Sequence, residues 1–117
     1  MKTFNAHVRL QSHIAIIDLQ GEINTQAEGA LQRAYSEAEP HGTGAILLTF
    51  AAVDYVNSTG IALIVGILTR ARKAQRKLFA CGLSEHYVEI FRITRLADFL
   101  QVFPDEASAL ASVEASA

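Results

Sequence analysis

Cysteine is almost missing: Cys81 stands alone in 117 residues, which excludes an internal disulfide and a thiolate metal cluster. That usage fits a reducing, cytoplasmic setting. Proline is nearly as scarce, with only Pro40 and Pro104, and no Gly/Ser/Pro-rich stretch or internal repeat divides the chain. Charge of one sign is not in excess either. Ten Lys and Arg against twelve Asp and Glu leave a formal net charge of −2, whereas a general nucleic-acid binder carries a basic surplus. Long apolar runs are absent: the richest, residues 61–68, is too short to cross a bilayer and includes Gly66, so no membrane insertion is expected. Residues 1–10 alternate polar and apolar, unlike the unbroken apolar core of a secretory signal.

Catalytic spacings are missing as well. His7, His13, His41 and His86 form neither H-x-x-x-H nor H-E-x-x-H, so no metal site is indicated. No G-x-x-x-x-G-K-[ST] or G-x-G-x-x-G turn is present, and Gly42-Thr43-Gly44 precedes a strand instead of opening a helix. Cys81 lies in an apolar strand as a small core residue, and no nucleophile–base pair can be named. The expectation is a protein that is not an enzyme and uses no cofactor.

What is present is a core. Half of the residues are hydrophobic, enough for one domain of this length, read as residues 1–112, with an Ala/Ser-rich frayed tail at 113–117. Phe4, Ala6, Val8 and Leu10 alternate with polar residues as in a half-buried strand, and a turn at Gln11-Ser12 leads into a doubly buried strand at 13–19. Residues 21–25 then break the strand and offer N-cap side chains for a helix lined by Ala27, Ala30, Leu31, Ala34 and Ala38. Further strands are expected at 45–50, 78–81 and 100–103. A helix follows each, with buried positions Ile61, Ile64, Val65, Leu68, Ala71 and Arg72 in the first, Tyr87, Ile90 and Phe91 in the second, and Ala107, Leu110 and Ala111 in the last. The order β-β-α-β-α-β-α-β-α makes an α/β fold: a mixed, mostly parallel sheet of about five strands with four main helices.

One segment carries more than architecture. In Val53-Asp54-Tyr55-Val56-Asn57-Ser58-Thr59-Gly60, two hydroxyls and a glycine sit where an extended segment becomes a helix. Ser58 or Thr59 serves as N-cap in the plain structural reading. Gly60 in the first turn costs about 0.5–1 kcal/mol relative to Ala, so its missing side chain calls for a reason. Thr59, Ala62 and Gly66 fall opposite the expected core positions, giving a low, smooth face for another backbone to approach. The basic cluster Arg70, Arg72, Lys73, Arg76 and Lys77 complements a helix C-terminus, with docking of an acidic partner as the other reading.

These residues resemble those of the STAS domain, shared by bacterial anti-sigma factor antagonists and the cytoplasmic tails of sulphate transporters. Leu19-Gln20-Gly21-Glu22-Ile23-Asn24 resembles the family's strand-two exit, L-x-G-x-[LI]-D, and the segment ending Asn57-Ser58-Thr59-Gly60 resembles its D-S-[ST]-G phosphorylation motif. Phe91-Arg92-Ile93-Thr94-Arg95-Leu96, Val102-Phe103 and Glu106-Ala107 are similar to its closing elements. The resemblance implies a STAS-type fold and a phosphorylation-controlled binding switch. In its unphosphorylated form such a protein sequesters an anti-sigma factor that is also a serine kinase, and a PP2C-type phosphatase reverses the modification. Ser58 corresponds to the motif serine, with Thr59 as the alternative acceptor. The implied partner surface comprises Asn24, Asn57, Ser58, Thr59, Gly60, Ala62 and Gly66, on a monomer or weak dimer. The other readings are a non-phosphorylated adaptor or scaffold of a lipid-transport or stress-signalling complex, and a small-ligand or nucleotide sensor. Asn57, Asn24 and Thr49 stand where the family usually has acidic or, for Thr49, acidic or amide residues. Less negative charge near Ser58 makes a phosphate easier to accept there.

Overall fold

The two most apolar stretches of the chain lie side by side. In the computed structural model, which describes residues 3–11 and 13–116, β2 (Ile14–Ile23) runs parallel to β3 (Ala45–Val56), from Ile14 opposite Ala45 to Ile23 opposite Val56. β1 (Asn5–Gln11) adds antiparallel to β2, while β4 (Leu78–Cys81) and β5 (Gln101–Phe103) continue the sheet in parallel beyond β3. The strand order β1-β2-β3-β4-β5 is therefore sequential, mixed only at its first pair, as the alternation of elements implied. Ser12, in the expected first turn, and Ala117, at the end of the expected tail, lie outside the described residues.

The sheet is covered on both faces, which is why β2 and β3 are apolar on both. Ala15, Ile17, Leu19, Ile46, Leu48 and Phe50 pack towards α1 (Glu28–Ala38), α2 (Ser58–Lys73) and α3 (Glu85–Ile93). Ile14, Ile16, Leu47 and Phe79 pack towards α4 (Glu106–Ser116). Helix α4 buries Ala109 and Val113, a different stripe from the Ala107, Leu110 and Ala111 expected; Ala107 and Ala111 are exposed. Its alanine-rich sequence has little periodicity to set the phase. In α1, Tyr35 is fully buried beside Leu31 and Ala34, under the guanidinium of Arg70 at 4.7 Å, and was not among the expected core positions.

Two boundaries differ from the sequence reading. β2 does not break at Gly21 but continues to Ile23, and β3 runs on from Phe50 to Val56. Register shifts after Asp18 and after Gly21 let these ends pair while twisting away from the sheet. β4 stops at the Thr49–Cys81 pair, so residues 51–55 of β3 are mostly exposed and read from sequence as a loop.

The phase of α2 is also different. Gly60, Ile64, Ile67, Leu68 and Ala71 are buried, whereas Val65 and Arg72, expected in the core, are exposed. The cause is the close packing of Gly60 on the end of β2. A Cβ there would stand 2.1 Å from the Ile23 carbonyl oxygen and 2.9 Å from the Val56 side chain. Gly66, by contrast, faces open space.

A polar network joins the sheet to α4. Arg9 donates to both carboxylate oxygens of Asp18, at 2.5 and 2.9 Å, and to Glu106 Oε1 at 2.7 Å, while Thr49 Oγ1 donates to Asp18 Oδ1 at 2.7 Å. The Arg9 hydrogen bonds, more than the opposing desolvation, hold the Asp18 carboxyl below its ordinary range.

Two stability outcomes are expected. Gly60→Ala loses about 2 kcal/mol or more, since backbone must move to admit the methyl, whereas Gly66→Ala gains about 0.5–1 kcal/mol of helix propensity; urea unfolding of both variants checks this. Asp18→Asn loses about 1 kcal/mol at pH 7, kept small because the network is partly solvated. With its folded pKa depressed, Asp18 contributes its stabilisation above the unfolded value near pH ~4 and loses it as pH falls through the folded value. The difference between Asp18→Asn and the unsubstituted protein therefore narrows below pH ~4 in unfolding measured across pH.

Candidate functional site

The segment singled out in the sequence is the junction of β3 and α2, and three elements hold it. From β2, the Ile23 carbonyl accepts the Asn57 backbone amide at 3.2 Å. From α3, the Tyr87 hydroxyl accepts from the Val56 amide at 2.9 Å and donates to the Val56 carbonyl at 3.4 Å. Within the junction, Asn57 has extended backbone angles and its Oδ1 accepts from the Gly60 amide at 2.8 Å. Asn57 is thus the N-cap of α2, not Ser58 or Thr59. An amide oxygen at this position reaches the third helical residue, and the Ile61 amide bonds back to the Asn57 carbonyl at 2.9 Å.

This correction changes what Ser58 is free to do. Ser58 and Thr59 are the first two helical residues, both exposed, and among the described residues neither hydroxyl makes a hydrogen bond. Their own amides belong to the four at a helix start that lack intrahelical acceptors, so the Ser58 hydroxyl stands at the positive end of a 16-residue helix. No acidic residue occupies the first turn.

The remaining expected residues divide. Thr59, Ala62 and Gly66 are exposed on α2 as anticipated, and Val65 joins them with 41% exposure. Gly60 does not belong to that surface: it is buried against Ile23 and Val56, so its small size serves packing and leaves no open face. Asn24 follows Ile23, whose register partner is Val56, so the strand-two exit lies beside the motif. Its side chain caps a short turn at Thr25–Ala27, with Oδ1 accepting from the Gln26 amide at 2.9 Å.

The sequence pattern marks Tyr87 only as a core residue. Its hydroxyl contact with Val56 spans 31 positions, and no local pattern announces such a bond. Tyr55, two residues before the cap, is 53% exposed and extends the apolar surface near the junction. Cys81 is buried, and desolvation pushes its thiol up to about 11, leaving it protonated at neutral pH. Among the described residues no group of three His, Cys, Asp or Glu side chains could hold a metal, and no helix is long and apolar enough to cross a membrane.

The junction presents two exposed hydroxyls, Ser58 and Thr59, beside a low helical face, and the chain that builds it is similar to known proteins. An anti-sigma-B factor antagonist of Staphylococcus aureus (strain NCTC 8325 / PS 47) is 26% identical over 98 residues, covering 84% of this chain and 91% of that protein. The crystal structure of an anti-sigma factor antagonist from Mycobacterium paratuberculosis superposes with a TM-score of 0.82 at 17% identity, covering 96% of this chain and 95% of the other. The Bacillus cell fate determinant SpoIIAA in its phosphorylated form gives 0.69 at 18% identity, with 95% and 99% covered. At these identities the two structures establish a common fold. The model of the STAS domain matches residues 5–109, nearly the whole chain, and the protein therefore belongs to the STAS domain family.

Proposed function

We propose that this protein is an anti-sigma factor antagonist: an unmodified surface around Ser58 binds an anti-sigma factor, and phosphorylation of Ser58 releases it. The observation that carries this reading is the Asn57 cap, which supplies the helix with its side-chain acceptor and leaves the Ser58 hydroxyl exposed and without a structural bond. The named activity of the staphylococcal relative and the phosphorylated form of SpoIIAA support it. The kinase would be the bound anti-sigma factor, and a PP2C-type phosphatase would regenerate the binding form. The protein itself acts by binding, without catalysis.

The physics of the switch separates fold from interface. A phosphate on Ser58 adds about −1.5 to −2 charges and three acceptor oxygens at the first turn of α2. The free amides and the positive helix end accommodate that charge, so α2 stays formed. A partner packed against Ala62, Val65 and Gly66 meets a charge that it must desolvate or repel. A loss of ~3–4 kcal/mol there weakens binding several-hundred-fold.

Ser58→Asp is expected to bind the anti-sigma factor several-hundred-fold more weakly with an unchanged melting profile, while Ser58→Ala binds normally and resists the kinase. Phosphopeptide mapping distinguishes the acceptors: phosphate on Thr59 alone moves the site, and no phosphate with any kinase of the same genome favours the adaptor reading. Gly66→Leu adds bulk to the exposed face and is expected to keep or raise stability while reducing partner affinity at least tenfold by calorimetry. Undiminished binding by Gly66→Leu would place the partner elsewhere.

A further inference from the structure

The far end of α2 has a chemistry that the Ser58 junction does not use. Its five neighbouring cations do not share one role. Arg70 turns to α1, donating to Gln32, Ser36 and Glu39. Arg72, Arg76 and Lys77 form no ion pair among the described residues, although the chain as a whole is acidic. Hydrogen-bond capping of the helix end does not require them, because backbone amides already supply it. The Arg76 amide donates to the Ala71 carbonyl at 2.8 Å and the Gln75 amide to the Arg72 carbonyl at 3.0 Å, a Schellman turn with Gln75 at φ 55°. A residue with a side chain in that left-handed conformation is uncommon, since glycine is the usual occupant. The turn folds the chain back so that Arg76 and Lys77 come alongside Arg72.

These three cations line a cleft of about 310 Å³ at the starting ends of β4 and β5. Its apolar walls are Leu68, Leu78, Phe79 and Phe99, and among the described residues no carboxylate lines it. Phe99 is 53% exposed, and the Arg72 guanidinium lies over its ring at 4.6 Å. Arg76 donates from Nη1 to the Gly42 carbonyl at 2.5 Å, which fixes its head group. The fixed Arg76 guanidinium, two further cations without an ion pair among the described residues and an aromatic wall form a receptor for negative charge joined to a flat apolar body. The volume lies at the small end of ligand pockets and admits roughly one ring with its anionic group.

We propose that this cleft is a second binding site, for a small organic anion with a planar apolar body, such as an aryl phosphate. Along α2, the lining residues Leu68 and Arg72 lie about 15 and about 21 Å from Ser58, and the proposal is independent of the partner switch. Titrating the full chain with phenyl phosphate, with amide and arginine side-chain NMR signals as the readout, tests it. The expected result is saturating shifts confined to the cleft, at Leu68, residues 72–79, residues 99–101 and Ser112, with affinity at least tenfold above that for inorganic phosphate or for benzyl alcohol. The exposed substitutions Arg72→Gln and Lys77→Gln together are expected to weaken binding at least tenfold with the remaining spectrum preserved. Shifts scattered over the surface, or undiminished affinity in the double variant, overturn the site. Equal affinity for benzyl alcohol overturns its anionic character, and equal affinity for inorganic phosphate overturns the planar body.

Discussion

The carbonyl oxygen of Ile23 is the point on which the rest of the molecule turns. It accepts the Asn57 amide at 3.2 Å and occupies the space where any side chain at position 60 would have to go. That single oxygen ends β3, starts α2 and sets the rotation of the helix about its axis. With Gly60 pressed inward, Ile64, Ile67, Leu68 and Ala71 follow into the core, and Thr59, Ala62, Val65 and Gly66 are carried to the surface. The exposed face is thus a consequence of a packing constraint made on the opposite side of the same helix.

The same constraint separates two jobs that a regulatory protein must keep apart. Ile23, Tyr87 and the Asn57 side chain hold the junction through groups other than the Ser58 hydroxyl. Ser58 contributes nothing to that framework. A charge added to it changes what the surface presents while leaving the hydrogen bonds that define the surface in place. An Asn cap also keeps the first turn neutral where an Asp would put a carboxylate beside the Ser58 hydroxyl, lowering the repulsion that a phosphate would meet there.

Much of this was legible in the sequence. The five strands and four helices follow from alternation in residues 4–10, from doubly apolar runs such as Ile14 to Leu19, and from turn residues between them. The motif segment is legible as a strand-to-helix junction carrying two hydroxyls, although the cap, Asn57, precedes the expected Ser58 or Thr59 by one or two residues. Three adjacent side chains, Asn57, Ser58 and Thr59, all cap well, and only the backbone decides among them. The α2 phase was not legible because residues 61–68 are apolar on nearly every side, so periodicity alone leaves the rotation open. Gly60 was read as surface since a glycine in sequence does not say which neighbour fills its space. Contacts across the chain had no local trace: Tyr87 to Val56, and Arg9 to Glu106 across 97 positions. The basic cluster was visible, but the Schellman turn that separates Arg70 from Arg72, Arg76 and Lys77 was not.

The central claim is that Ser58 sits on a platform whose integrity does not depend on its chemical state. Native-state hydrogen exchange of the α2 amides, compared before and after stoichiometric phosphorylation of Ser58, tests this directly. The account predicts that protection of the Ile61 to Ile64 amides is retained or increased, because the added charge lies at the positive end of the helix. A tenfold or greater loss of protection in that turn would contradict it, and would mean that phosphorylation acts by unravelling α2.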